Sequence, residues 1–314
     1  MARILITPRS LTSDPPSELE PLRAAGHELV FSTPGQTPDE AELLRLIPSV
    51  EGWLAGVEPV SEAVIAAAAR LRVISRNGTG TDNLPLTATG ARGIRIERAM
   101  AANATGVAEL AIGLALAACR NLTDVSHGVR LGGWPRLRGR EIEGETVGII
   151  GLGAIGRKVA GVMAELGAKV IAADPFRPDL GALAGKVDYA DPAEILAQAG
   201  ILSLHCPMPE DGSPVIGAAA LAQIRPGLIL INTARAGLID ETALLAALED
   251  GRVAAYGTDV FATEPPAPGG LAAHPRVIAT SHIGGLTDAS VRRATRIAVE
   301  NLLTHLPGDG NASR

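Results

Sequence analysis

The sequence predicts an α/β fold built as two parallel-sheet domains, on three observations. Short apolar runs rich in Val, Ile and Leu alternate with helical stretches rich in Ala, Leu and Glu, the rhythm of βαβ units. That rhythm breaks off at a long Ala/Leu-rich stretch and a turn-rich linker, then restarts. The length, 314 residues, exceeds the usual ~150-residue domain but suits two of them.

Taken in order, ARILITP, HELVFST, GWLAG, RVISRN and IRIER read as the strands of the first hundred residues, and a domain border is expected near residue 100. Residues 101–120 contain no Pro and read as a helix. Within it, 108–119 is the most membrane-like stretch, but a dozen residues with Glu109 inside fall short of the ~20 that a bilayer span needs, so a buried helix is expected. Residues 131–140 (LGGWPRLRGR) form a turn-rich basic linker. From Glu145 onward TVGIIGLG, AKVIAAD, ILSLHC, LILINTAR, AAYGTDV and RVIAT read as strands of a second unit. Residues 286–306 read as a closing helix with Arg292, Arg293, Arg296 and Glu300 on its polar face, able to return to the first domain. The final GDGNASR is expected to fray.

Composition narrows the function classes. With 46% hydrophobic and only 20% charged residues the chain can bury sizeable cores, which excludes disordered and fibrous classes. Aromatics amount to 2%, too few to stack bases, and the net charge of −6 comes without a Lys/Arg cluster, so nucleic acid and anionic membranes are not expected partners. Cys119 and Cys206 are too few for a disulfide framework and too far apart for a metal knuckle; no metal is expected, and a reducing cytoplasm is the expected compartment. The N-terminus has a short apolar run followed by Pro8, so no secretory leader is expected.

The strongest local signal is Gly151-Leu152-Gly153-Ala154-Ile155-Gly156, which follows the strand TVGII and opens the helical RKVAGVMAEL. Three glycines there allow a tight turn, close approach of a pyrophosphate and helix-to-sheet packing, while the helix N-terminus offers N–H donors to the anion. This predicts a dinucleotide-binding, Rossmann-like unit. Asp174 closes the next strand where an acid binds the adenosine ribose. Its carboxylate would accept from both hydroxyls and repel a 2′-phosphate, which favours NAD over NADP, although Arg177 three residues on could soften that preference.

Beyond this motif the chain resembles the D-isomer-specific 2-hydroxyacid dehydrogenases, whose relatives include phosphoglycerate and glyoxylate dehydrogenases. The stretches that carry the resemblance are NGTGTDN at 77–83, VGIIGLGAIG at 147–156, LHCPMP at 204–209, LINTARAGLID at 230–240, GTDVFATEPP at 257–266 and SHIGG at 281–285. The resemblance implies a catalytic set of Arg235, Glu264 and His282. An imidazole suits the hydroxyl proton that must leave as hydride departs from C2, a carboxylate on its other nitrogen fixes the tautomer, and a guanidinium fork clamps the substrate carboxylate. It also implies cofactor contacts from Thr79, His205, Cys206, Thr233, Ala234, Arg235, Asp259, His282, Gly284 and Gly285 besides the glycine turn. Substrate contacts are implied for Ala55, Gly56, Arg76 and Gly78. Cys206 is expected to be a wall residue rather than a reactive thiol.

Two departures from the family pattern stand out. Where phosphoglycerate dehydrogenases usually carry an Arg-Ser-type loop after the third strand, this chain reads Leu54-Ala55-Gly56-Val57-Glu58, with no cation for a phosphate. Ser281 replaces the Pro that commonly precedes the His, loosening the backbone there. The C-terminal serine-binding regulatory domain of some relatives is not expected in this chain.

The resemblance thus implies two Rossmann-like domains, one flavodoxin-like and one dinucleotide-binding: residues 1–99 plus 286–314 for substrate, and 100–285 for NAD. The expected activity is an NAD-dependent interconversion of a small D-2-hydroxy acid and its 2-keto acid, in a homodimer formed through the NAD-binding domain. The alternatives are a D-3-phosphoglycerate dehydrogenase and a non-catalytic NAD(H)-sensing binding protein.

Overall fold

The computed structural model describes residues 1–306, so the expected fraying of GDGNASR lies outside the described residues. The chain divides into two compact units, one comprising Met1–Asn103 with the segment from Thr287 onward, the other Ala104–Leu286.

The first unit holds five parallel strands: β1 (Arg3–Ile6), β2 (Glu28–Phe31), β3 (Gly52–Ala55), β4 (Val73–Arg76) and β5 (Arg95–Arg98), in the order β2-β1-β3-β4-β5. The central strands are buried on both faces, which is why they read as continuous apolar runs rather than alternating ones. Trp53, Leu43, Ile47, Ile65 and Ile74 fill one side of the sheet. The other side is closed by the terminal helix Asp288–His305, whose Ala298, Val299 and Leu302 pack with Ile4, Ile6, Leu54 and Val73. The helix starts where Thr287 accepts from Ser290 N–H at 3.2 Å, a cap worth ~1 kcal/mol.

The second unit holds seven parallel strands: β6 (Thr146–Ile150), β7 (Lys169–Ala173), β8 (Val187–Tyr189), β9 (Ile201–Leu204), β10 (Leu228–Asn232), β11 (Val253–Thr258) and β12 (Val277–Ala279). Their order is β12-β11-β10-β9-β6-β7-β8, so the strand order reverses between β6 and β9. In open parallel sheets a ligand crevice lies at the carboxyl ends beside such a reversal. Helix Ala154–Glu165 buries Gly156, Val159, Ala160 and Met163, the i, i+3, i+4, i+7 stripe of an amphipathic helix. Helix Ala104–Cys119 packs Ala108, Ala111, Leu114 and Ala115 against Val147, Ile149, Ile229 and Ile231, as its apolar sequence requires. Among the described residues no single helix is long and apolar enough to cross a membrane. Strand β8, only three residues long, has no counterpart in the sequence reading.

Candidate active site

The turn from β6 into helix Ala154–Glu165 shows why its glycines are needed. Gly151 has φ +94°, and a Cβ there would stand 2.7 Å from the His205 carbonyl carbon and the Cys206 nitrogen. A Cβ on Gly156 would meet the Gly151 carbonyl oxygen at 2.0 Å. Gly153, the N-cap, has no protein atom within 4 Å of the same point, so its face of the turn is open. Ala154 and Ile155 form the first turn of this helix, where backbone N–H groups lack intrahelical partners. Asp174, just beyond β7, accepts from Leu152 N–H at 2.8 Å and from Phe176 N–H at 2.9 Å. Arg177 lies over the Tyr189 ring, 5.6 Å from its centroid, with Nη2 3.9 Å from Asp191 Oδ1.

The ends of β9 and β10 supply polar groups that the protein itself does not satisfy. His205 Nε2 pairs with the Ser203 hydroxyl at 2.8 Å, while its Nδ1 is buried without a hydrogen-bond partner, as is Thr233 Oγ1. Burial pulls the His205 imidazole down to about 4, so the ring is neutral at pH 7. Burial also raises the Cys206 thiol, which suits a wall rather than a nucleophile. Buried Asn232 ties the next loop in both directions: Nδ2 donates to Arg235 O at 2.8 Å, and Oδ1 accepts from Ala234 N–H at 3.0 Å. The Arg235 guanidinium donates to Ala234 O at 2.8 Å.

The loops after β11 and β12 bring together Glu264 and His282, two residues of the expected catalytic set. His282 Nδ1 lies 2.8 Å from Glu264 Oε2, and Glu264 Oε1 accepts from Phe261 N–H at 3.1 Å. A carboxylate can only accept, so Nδ1 carries the proton and Nε2 is the nitrogen able to exchange one. His282 has φ +56°, the left-handed region that non-glycine residues adopt at a cost when the surroundings impose it. The surroundings do so through Asp259, 2% exposed: Oδ1 accepts from Ile283 N–H at 2.8 Å and from the Thr280 hydroxyl at 2.6 Å, and Oδ2 accepts from Gly284 N–H at 2.8 Å. These bonds compensate for the backbone freedom expected from Ser281. Gly285 follows in the same turn.

In the first unit the residues expected to meet substrate gather after adjacent strands, Ala55 and Gly56 at the end of β3, Arg76 to Thr79 at the end of β4. Arg76 is 8% exposed; its Nε donates to Asn83 Oδ1 at 3.3 Å, and Nη1 reaches Ala55 O at 3.5 Å. Asn83 in turn donates to Gly56 O at 3.3 Å and Glu58 O at 2.7 Å, knitting the two loops. Thr79 donates to Ala99 O at 3.3 Å. Sequence reasoning missed Asn232, Thr280 and Asn83, which hold loops rather than display chemistry. Only the strand-end Asn of INTAR carries a local signal, that of a side chain bonding its own following backbone.

An open glycine turn at a helix N-terminus, with an acid at the end of the next strand and two orphaned polar atoms beside it, fits a dinucleotide. Comparison with known proteins agrees. Residues 112–284 match the model described as D-isomer specific 2-hydroxyacid dehydrogenase, NAD binding domain. The chain belongs to the D-isomer specific 2-hydroxyacid dehydrogenase family. It is 37% identical over 275 residues to D-3-phosphoglycerate dehydrogenase of Mycobacterium leprae, a match covering 87% of this chain and 52% of that protein. The chain thus spans about half the length of that relative. It is 35% identical over 274 residues to hydroxypyruvate reductase of Thermotoga maritima, covering 85% of this chain and 89% of that one. A solved structure of glyoxylate reductase from Paecilomyes thermophila superposes with a TM-score of 0.84 at 28% identity, covering 96% and 94% of the two chains. NAD is the cofactor of the domain that this family model describes, and the open glycine turn fits a dinucleotide.

Proposed function

We propose that the chain is an NAD-dependent oxidoreductase that interconverts a small D-2-hydroxy acid and its 2-keto acid. The observation that carries this reading is the His282–Glu264 pair, held at 2.8 Å after β11 and β12 at the carboxyl end of the sheet, the end that also carries the glycine turn after β6. Bound NAD supplies the hydride acceptor. His282 Nε2 takes the hydroxyl proton during oxidation and returns it during reduction, while Glu264 holds the ring in the Nδ1–H tautomer and stabilises the imidazolium. Arg235 clamps the substrate carboxylate with a planar fork of donors. Gly151, Gly153, Ala154, Ile155 and Gly156 cradle the pyrophosphate, and Asp174 takes the ribose hydroxyls. Thr79, His205, Cys206, Thr233, Ala234, Arg235, Asp259, His282, Gly284 and Gly285 complete the cofactor contacts, with Asp259 accepting from the carboxamide.

Residues 1–99 plus the segment from 286 serve the substrate, with Ala55, Gly56, Arg76 and Gly78 in contact with it; residues 100–285 serve the cofactor. A homodimer through the cofactor domain is supported by Leu122, Val129, Leu131, Trp134 and Leu137, large apolar side chains all exposed within one short segment of that domain. The two free cysteines support a reducing, cytoplasmic setting. The similarity to phosphoglycerate dehydrogenase favours 3-phosphoglycerate as a second reading. Against it, Ala55 and Gly56 offer no cation, and the Arg76 guanidinium is tied into the fold.

Steady-state oxidation of NADH with glyoxylate, hydroxypyruvate, pyruvate and 3-phosphohydroxypyruvate tests the reading. Turnover with at least one unphosphorylated keto acid is the expected result. NADH binding without turnover on any of the four would replace it with the NAD(H)-sensing alternative.

A further inference from the structure

The turn that follows β7 sets a cation beside an acid. Phe176 N–H donates to Asp174 Oδ1 at 2.9 Å and Arg177 N–H donates to Asp174 O at 3.1 Å, so the carboxylate and the arginine leave one closed turn. A guanidinium three residues from an acid that takes the adenosine ribose is placed to grip a 2′-phosphate, the group that distinguishes NADP from NAD. Here that guanidinium is engaged elsewhere. It lies over the Tyr189 ring, 5.6 Å from the centroid and within the range of cation–π attraction, with Nη2 3.9 Å from Asp191 Oδ1.

The ring that holds it is itself fixed. Tyr189 ends β8 and pairs with Ala172 of β7, the strand that leads to Asp174. Its hydroxyl donates to Pro178 O at 2.5 Å, which ties the ring to the residue after Arg177. Arg177 has φ +40°, a left-handed conformation that a non-glycine residue adopts at a cost. The guanidinium of Arg157 is engaged at the same edge, Nη2 donating to Leu180 O at 2.6 Å. To meet a 2′-phosphate, Arg177 must first give up the ring and Asp191, so affinity for the phosphorylated cofactor is lowered by the fraction of molecules in which the guanidinium is free.

We propose that Tyr189 is a specificity-determining residue for the cofactor: its ring holds the Arg177 guanidinium away from the adenosine ribose and so withholds the cation that a 2′-phosphate needs. The inference rests on the proposed assignment of Asp174 to the ribose. It goes further than that carboxylate, since an acid with a free arginine beside it repels a 2′-phosphate only in part, whereas an acid whose neighbouring arginine is detained repels it unopposed.

The test is a cycle of binding measurements, NADH and NADPH each titrated by fluorescence into native protein, Tyr189→Leu, Arg177→Ala and the double variant. In Tyr189→Leu the ratio of the NADPH Kd to the NADH Kd should fall about twofold to fivefold, the scale of an exposed cation–π contact. Arg177→Ala should raise that ratio more in the Tyr189→Leu background than in the native one, by the same factor. Tyr189→Met, which also removes the ring, takes the place of Tyr189→Leu if that variant does not fold. A ratio that falls less than about twofold when the ring is removed, or an Arg177→Ala effect equal in the two backgrounds, overturns the role of Tyr189. The ribose assignment fails separately, by an Asp174→Ala ratio equal to that of native protein. Native protein that binds neither cofactor overturns both.

Discussion

Asp174 Oδ2 accepts from Leu152 N–H at 2.8 Å, tying the end of β7 to the glycine turn. The same carboxylate is proposed to take the adenosine ribose, so it serves as both a loop anchor and a cofactor discriminator. The native protein should show higher kcat/KM with NADH than with NADPH. Asp174→Ala should weaken NADH by the ~1.5–3 kcal/mol of a charge-assisted hydrogen bond and narrow the NADH/NADPH ratio ~10-fold or more. Equal use of the two cofactors by the native protein would sink the assignment. Arg177 has other work, stacked over Tyr189 beside Asp191.

Glu264→Gln keeps the shape of the Glu264–His282 contact but removes its charge. The ring then loses the carboxylate that fixes its Nδ1–H tautomer, so kcat for keto-acid reduction should fall, though less than when the imidazole is removed. Native turnover in Glu264→Gln would mean that the carboxylate contributes nothing to orienting the ring.

His205 gives the fold a pH dependence of its own. Its buried imidazole sits at about 4, whereas an exposed histidine titrates near 6.5, so between those values the unfolded chain binds a proton that the folded one does not. Its contribution is therefore present in full above pH 6.5 and is lost progressively as pH falls to 4, a few kcal/mol in all at ~1.4 kcal/mol per pH unit. His205→Asn should flatten the decline of urea-unfolding free energy across that window. An identical pH slope in variant and native protein would contradict this.

Much of the fold was legible because strands buried on both faces read as apolar runs, as β1, β6 and β10 do, and eleven of the twelve strands among the described residues fall on segments read as strands, including the half-exposed, charged edge strand β5. The twelfth, β8, is Val187-Asp188-Tyr189, too short and too polar to show a pattern. The glycine turn was legible because Gly151 and Gly156 answer backbone clashes that no other residue relieves. What the sequence concealed was the support: Asp259 fixing the His282 loop by three hydrogen bonds, and Asn232 holding the Arg235 loop. Both depend on partners set by the tertiary fold or by a turn conformation that composition does not reveal. Glu58 was concealed as well, since nothing in Val57-Glu58-Pro59 announces that the carboxyl group is buried by contacts reaching back to Thr7.

In the proposed reaction the proton path runs through His282. Steady-state reduction of the best keto acid by NADH, native protein against His282→Ala, with NADH binding followed by fluorescence in both, measures it. Unchanged NADH binding and a fall in kcat of ~10²–10⁴-fold, the usual contribution of a positioned acid–base group, are expected. Near-native turnover in His282→Ala with cofactor binding intact would show that another group carries the proton.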